Sequence, residues 1–252
     1  MIDSLLNEMA PITLDEMKNI RLMDRIDSKF VAPVTILPKL LKEMQPFFKV
    51  QVNNEKRIAP YCTQYLDTRD LSMFIMHQNG KLNRQKIRIR SYVDSNVSFL
   101  EVKNKNNKGR TKKIRVPVDF SHVASIEELN GDRAFLDKHS LFECNGLEPV
   151  LFNEFNRITM VNNRKTERIT IDLQLSFQNY KTGNKKSLDN FMILELKQDG
   201  WQHSDFRDIL NKLRIKKSSF SKYCMGTVLT NPDVKYNRFK GRLTKINKLI
   251  TI

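Results

Sequence analysis

Arg84-Gln85-Lys86-Ile87-Arg88-Ile89-Arg90 is the stretch that decides how this chain is read. In an extended segment, successive side chains point to opposite faces. Arg84, Lys86, Arg88 and Arg90 therefore share one face, and Ile87 and Ile89 the other. The alternation recurs in Leu100-Glu101-Val102-Lys103, Lys113-Ile114-Arg115-Val116, Arg168-Ile169-Thr170-Ile171-Asp172, Leu194-Glu195-Leu196-Lys197 and the run from Arg25 to Val31. Several strands thus carry one apolar and one ionic face. If the apolar faces pack on helices, the ionic faces must meet each other or water. A barrel with charges inside is a container for something highly charged.

Positions i and i+2 of a strand lie roughly 6.6 Å apart. A row of four cations at that spacing, with no acid between them, repels itself unless an anion lies along it. Arginine grips phosphate through two parallel bonds and lysine as a point charge, so the row suits a linear polyphosphate. A solvated sheet face, the plainer reading of any one such strand, usually mixes signs; five or six alternating strands favour the ladder. No phosphate-cradling glycine loop of the G-x-x-x-x-G-K-[ST] or G-x-G-x-x-G type is present, so side chains must do the binding. Glu195, on the same face as Lys197, reads as an ion-pair partner or as the anchor of a divalent ion bridging phosphates. Glu101 and Asp172 read first as charge balancers.

The 252 residues contain 44 Lys and Arg against 28 Asp and Glu, a net charge of +16, which points to an anionic partner. Residues 81–115 concentrate this excess, with twelve cations against Asp94 and Glu101. Cys62, Cys144 and Cys224 are odd in number and scattered, and no histidine pair has metal spacing. With no long apolar run and no basic leader, the expected setting is the reducing cytoplasm.

Along the chain, Thr13 and Glu16 form a capping box opening a helix. A strand follows from Arg25, then a helix over 35–46. Tyr61–Leu66 reads as a strand, 70–77 as a short helix, and 82–92 with 97–103 as a hairpin. Residues 111–118 return as a strand with Pro117 at its end or edge. Two short helices are expected over 121–142, and strands near 150–161, 167–175 and 191–197, with a turn from Gly183 to Lys186. Closing helices are expected over 203–213 and 218–230, with Ser204 and Ser218 as caps. The expected fold is α+β, a mainly antiparallel sheet of about eight strands closed into a barrel and flanked by helices. Residues 1–232 form one domain in this reading and 233–252 a basic tail.

A set of short motifs then stands in order: Arg25-x-Asp27-x-Lys29-Phe30, Tyr65-x-Asp67-Thr68, His77-x-x-Gly80, Lys86-x-Arg88-x-Arg90, Leu100-Glu101-x-Lys103, Phe155-x-Arg157, Glu195-x-Lys197 and Phe220-Ser221-Lys222-Tyr223. Together they resemble the vacuolar transporter chaperone (VTC) domain, the polyphosphate polymerase branch of the CYTH-like triphosphate tunnel metalloenzymes. The resemblance implies a closed eight-stranded tunnel barrel and transfer of the γ-phosphate of ATP to a growing polyphosphate chain. It implies phosphate binding by Lys29, Arg88, Arg90, Lys103, Arg157 and Lys113, joined by Arg25, Lys86, Lys197 and Ser221. Lys222 would sit near the reacting phosphate with Arg88 and Arg90, and Glu195 would hold manganese, with magnesium the alternative. Phe155 replaces the usual tyrosine of the family, and Ser218-Ser219 stands where a Pro-Lys pair is expected.

Two other readings remain at this stage: an inorganic or nucleoside triphosphatase on the same barrel, and a non-catalytic binder of polyphosphate or RNA. A sequence pI near 9.8 suits the binder. The aromatics, however, show no base-stacking platform in the sequence, and no specific nucleic acid is expected. The family resemblance leaves room for a membrane-protein partner.

Overall fold

The computed structural model describes residues 1–20, 22, 25–119 and 133–250. In chain order these form α1 (Ile2–Asn7), β1 (Pro11–Thr13), α2 (Leu14–Lys18), β2 (Arg25–Pro33), α3 (Leu37–Met44), β3 (Phe48–Val52), β4 (Ala59–Thr68), α4 (Ser72–Gln78), β5 (Arg84–Tyr92), β6 (Val97–Lys105), β7 (Thr111–Val118), α5 (Arg133–His139), β8 (Leu147–Asn162), β9 (Glu167–Asn179), β10 (Lys185–Leu188), β11 (Phe191–Asp199), α6 (Asp205–Lys212), α7 (Lys222–Thr230) and α8 (Lys240–Ile250). The capping box is present, with Glu16 N–H donating to Thr13 Oγ1 and Thr13 N–H to Glu16 Oε2. Of the two helices expected over 121–142, residues 121–132 lie outside the described residues and α5 covers 133–139.

One sheet runs β2-β11-β9-β8-β4-β5-β6-β7, antiparallel at every step, with β3 added to β8, β10 to β9 and β1 parallel to β3. It curls into a half-barrel flanked by helices. Bulges bend it: the β4–β8 register shifts at Tyr65/Leu66 and the β8–β9 register between Glu154 and Asn156. Opposite the second shift, Gln174 takes a left-handed φ of 50°. This extra residue reverses the alternation of β9, so Leu173 packs in the outer core while Leu175 packs inside.

The closed barrel expected from the sequence is not formed. β2 and β7 stand at the two ends of the strand order, and among the described residues no pairing joins them. The cause is visible at both edges. The outer edge of β2 is engaged by the segment before α7, through a Phe30–Lys217 bridge and a 2.8 Å bond from Ser218 N–H to the Lys29 carbonyl. β7 exposes Lys112, Lys113 and Arg115 and carries Pro117, which has no N–H to offer, features that keep a strand at an edge.

Each helix group has its own face. α1, α3 and α6 cover the convex side of β2, β11, β9 and β8 through Leu40, Leu41, Phe206 and Leu210 against Phe30, Leu194, Ile169 and Ile158. The partner side chains of the opening heptapeptide, Ile87 and Ile89, pack with Leu100, Val102 and Leu136 of α5. On the concave side, inward positions are apolar at one end of the strands and ionic at the other. Along β11 they run Phe191, Ile193, Glu195, Lys197; along β2, Val31, Lys29, Asp27. α7 fills the apolar end together with α4 and α8.

Two local expectations are corrected. Ser221, not Ser218, caps α7, accepting from Cys224 N–H, because Ser218 is drawn into the bond with β2. The turn expected from Gly183 to Lys186 stops at Asn184, because Lys185 already opens β10 against β9. Within residues 233–252, α8 is amphipathic, and Phe239 and Ile246 are buried in the same core as α7. No helix among the described residues is long and apolar enough to cross a membrane.

Gly226 lets α7 seat on the sheet. A methyl group there would fall on the Phe177 ring and 2.6 Å from Leu151 Cδ2. Gly226→Val is therefore expected to destabilise the protein by about 1–3 kcal/mol through overpacking, read as a lower urea midpoint. An unchanged midpoint would show that α7 is not seated this way.

Candidate functional site

The ionic end of the concave face is built by strand register. Lys29 stands opposite Glu195, and Glu195 opposite Thr170. Asp172 faces Arg157 across β9 and β8. Tyr65 and Thr63 of β4 face Arg88 and Arg90. Arg88 then faces Glu101, and Lys86 faces Lys103, which in turn faces Lys113. Eleven of the residues singled out from the sequence are thus brought to one surface: Lys29, Lys86, Arg88, Arg90, Lys103, Lys113, Arg157, Lys197, Ser221 and Lys222, with Glu195. Arg25 is the exception. It lies at the exposed end of β2, paired with neighbouring Asp27 at 2.7 Å.

Three carboxylates organise these cations. Glu101, 1% exposed, receives Arg88 Nη2 at 2.6 Å and Lys113 Nζ at 2.5 Å. Asp172, 2% exposed, receives Arg157 Nε at 2.6 Å and Nη2 at 2.9 Å, a bidentate grip, and Lys222 Nζ as well. Glu195 receives Lys29 at 3.0 Å and Lys197 at 3.1 Å. Lys86 Nζ donates to Ser221 Oγ at 2.8 Å, tying β5 to the start of α7. Arg90 donates a long 3.4 Å bond to Thr63 Oγ1 and, among the described residues, makes no ion pair with a carboxylate, and Lys103 faces the open groove.

The electrostatics show a surplus of positive charge. Burial alone would raise the Glu101 carboxyl, but Arg88, Arg90 and Lys113 overcome it and hold it at about 2. Asp172 is likewise held far below the ordinary carboxylate range, its burial outweighed by Arg157 and Lys222. Burial pulls Lys222 down to about 7 against the pull of Asp172, with Arg157 and Lys29 adding to the depression. Burial and nearby Arg88 take Lys103 to about 8, and burial with Arg88 and Arg157 takes Arg90 to about 10. Lysines and arginines gathered this closely are short of anion.

Lys222 is aimed by a structural motif. Asp67 accepts backbone N–H bonds from Thr68, Met73 and Phe74 at the start of α4, and it also accepts the Tyr223 hydroxyl. Two motif pieces distant in sequence thus lock α4 to α7, and Lys222 projects from the first turn of α7 into the groove. Its ammonium sits 4.0 Å from the Phe155 ring centre, and Arg157 lies 5.1 Å from the same ring. The phenylalanine keeps an aromatic surface there without a hydroxyl.

Sequence reading passed over the uncharged wall. Tyr61, Thr63 and Tyr65 form the β4 stripe between the arginines of β5 and of β8. Tyr61 stacks on Phe155 at 5.3 Å, and Arg115 covers Phe99 at 4.1 Å. Neither Tyr61 nor Phe99 carries a charge, so the charge alternation that marked the other strands did not single them out. Finding these contacts required the strand pairing itself.

Glu195 does not make a metal centre by itself. Among the described residues, no group of three His, Cys, Asp or Glu side chains could hold an ion. Both Glu195 oxygens are taken by lysines, and its nearest acidic neighbours serve arginines and lysines of their own. This donor set does not fit a resident divalent ion.

The fold and groove define a curled antiparallel sheet whose concave face gathers more cations than its carboxylates neutralise. A family model for the VTC domain matches residues 24–231, and the chain belongs to that family. A comparison with curated proteins finds no match. Among solved structures, a putative adenylate cyclase from Bacillus halodurans shares the fold at a TM-score of 0.53 and 12% identity, over 79% of this chain and 96% of that one. HpAC1 from Hippeastrum, a putative adenylyl cyclase with a dominant triphosphatase activity, aligns at a TM-score of 0.49 and 14% identity, over 84% of this chain and all of that one.

The depressed Glu101 gives an acid-stability prediction. Its contribution is fully present above the ordinary carboxylate pKa of 4.5 and is lost as the pH falls toward about 2. Glu101→Gln is expected to cost roughly 3 kcal/mol at pH 7, the order expected for breaking a buried pair. The difference from the parent chain should shrink steadily below pH 4.5 in urea titrations. A difference that stays constant down to pH 2 would remove the carboxylate from this role.

Proposed function

We propose that the protein is an ATP-dependent polyphosphate polymerase, transferring the γ-phosphate of ATP to the end of a polyphosphate chain lying in the groove. The observation that carries this reading is the convergence of Arg88, Arg90, Lys103, Arg157 and Lys222, from four different elements, on one concave surface whose carboxylates leave positive charge over. Membership of the VTC family supports it.

In this mechanism no protein nucleophile is needed. A terminal phosphate oxygen of the acceptor attacks the γ-phosphorus in line, the bond to the β–γ bridging oxygen breaks, and ADP leaves with that electron pair. Arg88 and Arg157 are already oriented by Glu101 and Asp172, so they present guanidinium donors without reorganising. Arg90, loosely held, is free to follow the equatorial oxygens. Lys222 exchanges Asp172 for the transferring phosphate. Catalysis is then positioning and electrostatic stabilisation. Since the protein donors alone do not fit a resident ion, manganese or magnesium would reach Glu195 only as part of the metal–triphosphate substrate.

The open side between β2 and β7 favours a second reading, in which water is the acceptor and the product is orthophosphate. Lys29, Lys103 and Lys113 lie within reach of solvent there. Incubation with ATP and manganese, followed by gel sizing of the phosphate polymer, separates the two. Long chains are expected, reduced at least tenfold in a folded Arg88→Ala protein. Orthophosphate alone would replace polymerase by triphosphatase, and no turnover at all would leave a binding module. The free thiols of Cys62, Cys144 and Cys224 suit a reducing compartment such as the cytoplasm.

Binding should also take up protons. A bound phosphate favours the charged forms of Lys222 and Lys103, whose pKa values are depressed to about 7 and about 8 in the free protein. Above those values each lysine must gain a proton on binding, so affinity should fall as pH rises from 7 to 9. Titration calorimetry of tripolyphosphate in two buffers of different ionisation enthalpy measures the uptake. Lys222→Arg should take up fewer protons at pH 8, and equal uptake by both proteins would contradict the assignment.

A further inference from the structure

The cation row of β5 does not stop at Lys86. Arg84 continues it on the same face, opposite Lys105, so that Arg84 to Arg90 spans about 20 Å of strand. That length exceeds a triphosphate. Beyond Lys86 the row reaches the start of α7, where Lys86 holds Ser221, and there two further arginines arrive from the C-terminal segment. Arg238 lies directly over Gly80: a methyl group at that position would sit 2.5 Å from its Nη1. Gly80, at φ 73°, is thus a position where both the turn after α4 and the approach of a guanidinium exclude a side chain. Arg242 lies 5.3 Å from the Phe239 ring centre, and that ring packs against His77 and Phe74 of α4.

Arg242 lies within electrostatic reach of both Arg238 and Arg84, and all three act on His77. Among the described residues, none of Arg84, Arg238 or Arg242 makes an ion pair with a carboxylate, whereas most groove cations do. The neighbouring His77 accords with this: burial, then Lys86, Arg84, Arg242 and Arg238 together depress it to about 3, so it stays neutral and adds no charge of its own. A guanidinium cluster without acid, continuous with a phosphate ladder, calls for anionic oxygen.

We propose that Arg84, Arg238 and Arg242 form a second anion site at the Lys86 end of the groove, which takes the distal phosphates of a polyphosphate chain longer than a triphosphate. The proposal rests on the reading that the groove itself holds linear phosphate. It assigns the C-terminal segment a role in chain-length selection: short substrates use the groove alone, and long chains gain Arg238, just before α8, and Arg242 of α8. Single-stranded RNA is a less suitable occupant, since Phe239 is fully buried and offers no face for a base.

The test compares ligands of two lengths. Titration of the full chain with tripolyphosphate and with long-chain polyphosphate should show that Arg238→Gln/Arg242→Gln weakens long-chain binding about tenfold and flattens its salt dependence, while tripolyphosphate binding is unchanged. Because Arg242 packs on Phe239, exposed Arg238→Gln alone serves as the second variant, with a loss of about threefold expected. Unchanged long-chain affinity in the folded variants overturns the site. So does an equal loss for both phosphate ligands, or an equal loss for single-stranded RNA, which would make the patch a general polyanion surface. Failure of the parent protein to bind tripolyphosphate would instead overturn the groove reading, and this extension with it.

Discussion

The structure depends on the balance between Asp172 and the cations that share it. Asp172 is almost wholly buried, grips Arg157 through two bonds and also receives Lys222. Neither cation could be carried into a half-barrel without it, because an unpaired buried charge costs several kcal/mol. Glu101 does the same for Arg88 and Lys113, and Glu195 for Lys29 and Lys197. Each carboxylate therefore supports two cations and neutralises one. The remainder is the site: positive charge that folding tolerates because half of it is paired, and that a phosphate chain can complete.

That arrangement needs walls that do not yield. The convex side supplies them through a continuous apolar core under β2, β11, β9 and β8, and a separate one under β5 and β6. The concave side supplies the end stop, where α7 rests on Phe177 and Leu151 and is pinned by the Tyr223–Asp67 bond. Burial raises the Asp67 carboxyl against four hydrogen bonds that lower it, and the Tyr223 hydroxyl is pushed well up. A donor that resists ionisation keeps this bond intact over the range in which the groove lysines titrate. The position of Lys222 is thereby insulated from the charge changes it takes part in.

Much of this was legible in the chain because alternation states which side chains share a face. The heptapeptide at 84–90, the Glu101–Lys103 and Glu195–Lys197 pairs and the order of motifs placed nine cations, Ser221 and Glu195 on one surface. What alternation cannot state is which strands are neighbours, and there the reading was thinner. The short strands β1, β3 and β10 have too few residues to show a period. Ser218 and Ser221 are equivalent as caps until the bond from Ser218 to Lys29 removes one of them. Arg25 carries the right charge at the right spacing but falls at the end of β2, past the last carboxylate of the groove. Tyr61 and Phe99 were invisible because an uncharged residue on an ionic face looks like a gap.

Closure was the one architectural feature read too far, and the reason bears on chemistry. Eight antiparallel strands satisfy their edges most simply by forming a barrel, but β2 finds its partner in residues 217–218 and β7 is left facing solvent with its lysines. The groove consequently has one wall lined by buried, paired arginines and one by solvent-exposed lysines. On the buried wall, Arg88 and Arg157 are fixed in orientation by their carboxylates, as a transfer step requires. On the open wall, Lys103 and Lys113 keep their charge within reach of water and can release an anion as readily as they attract it. A chain of phosphates lying between the two would be held rigidly at its reacting end and loosely along its flank, the condition under which a polymer can advance by one unit after each transfer.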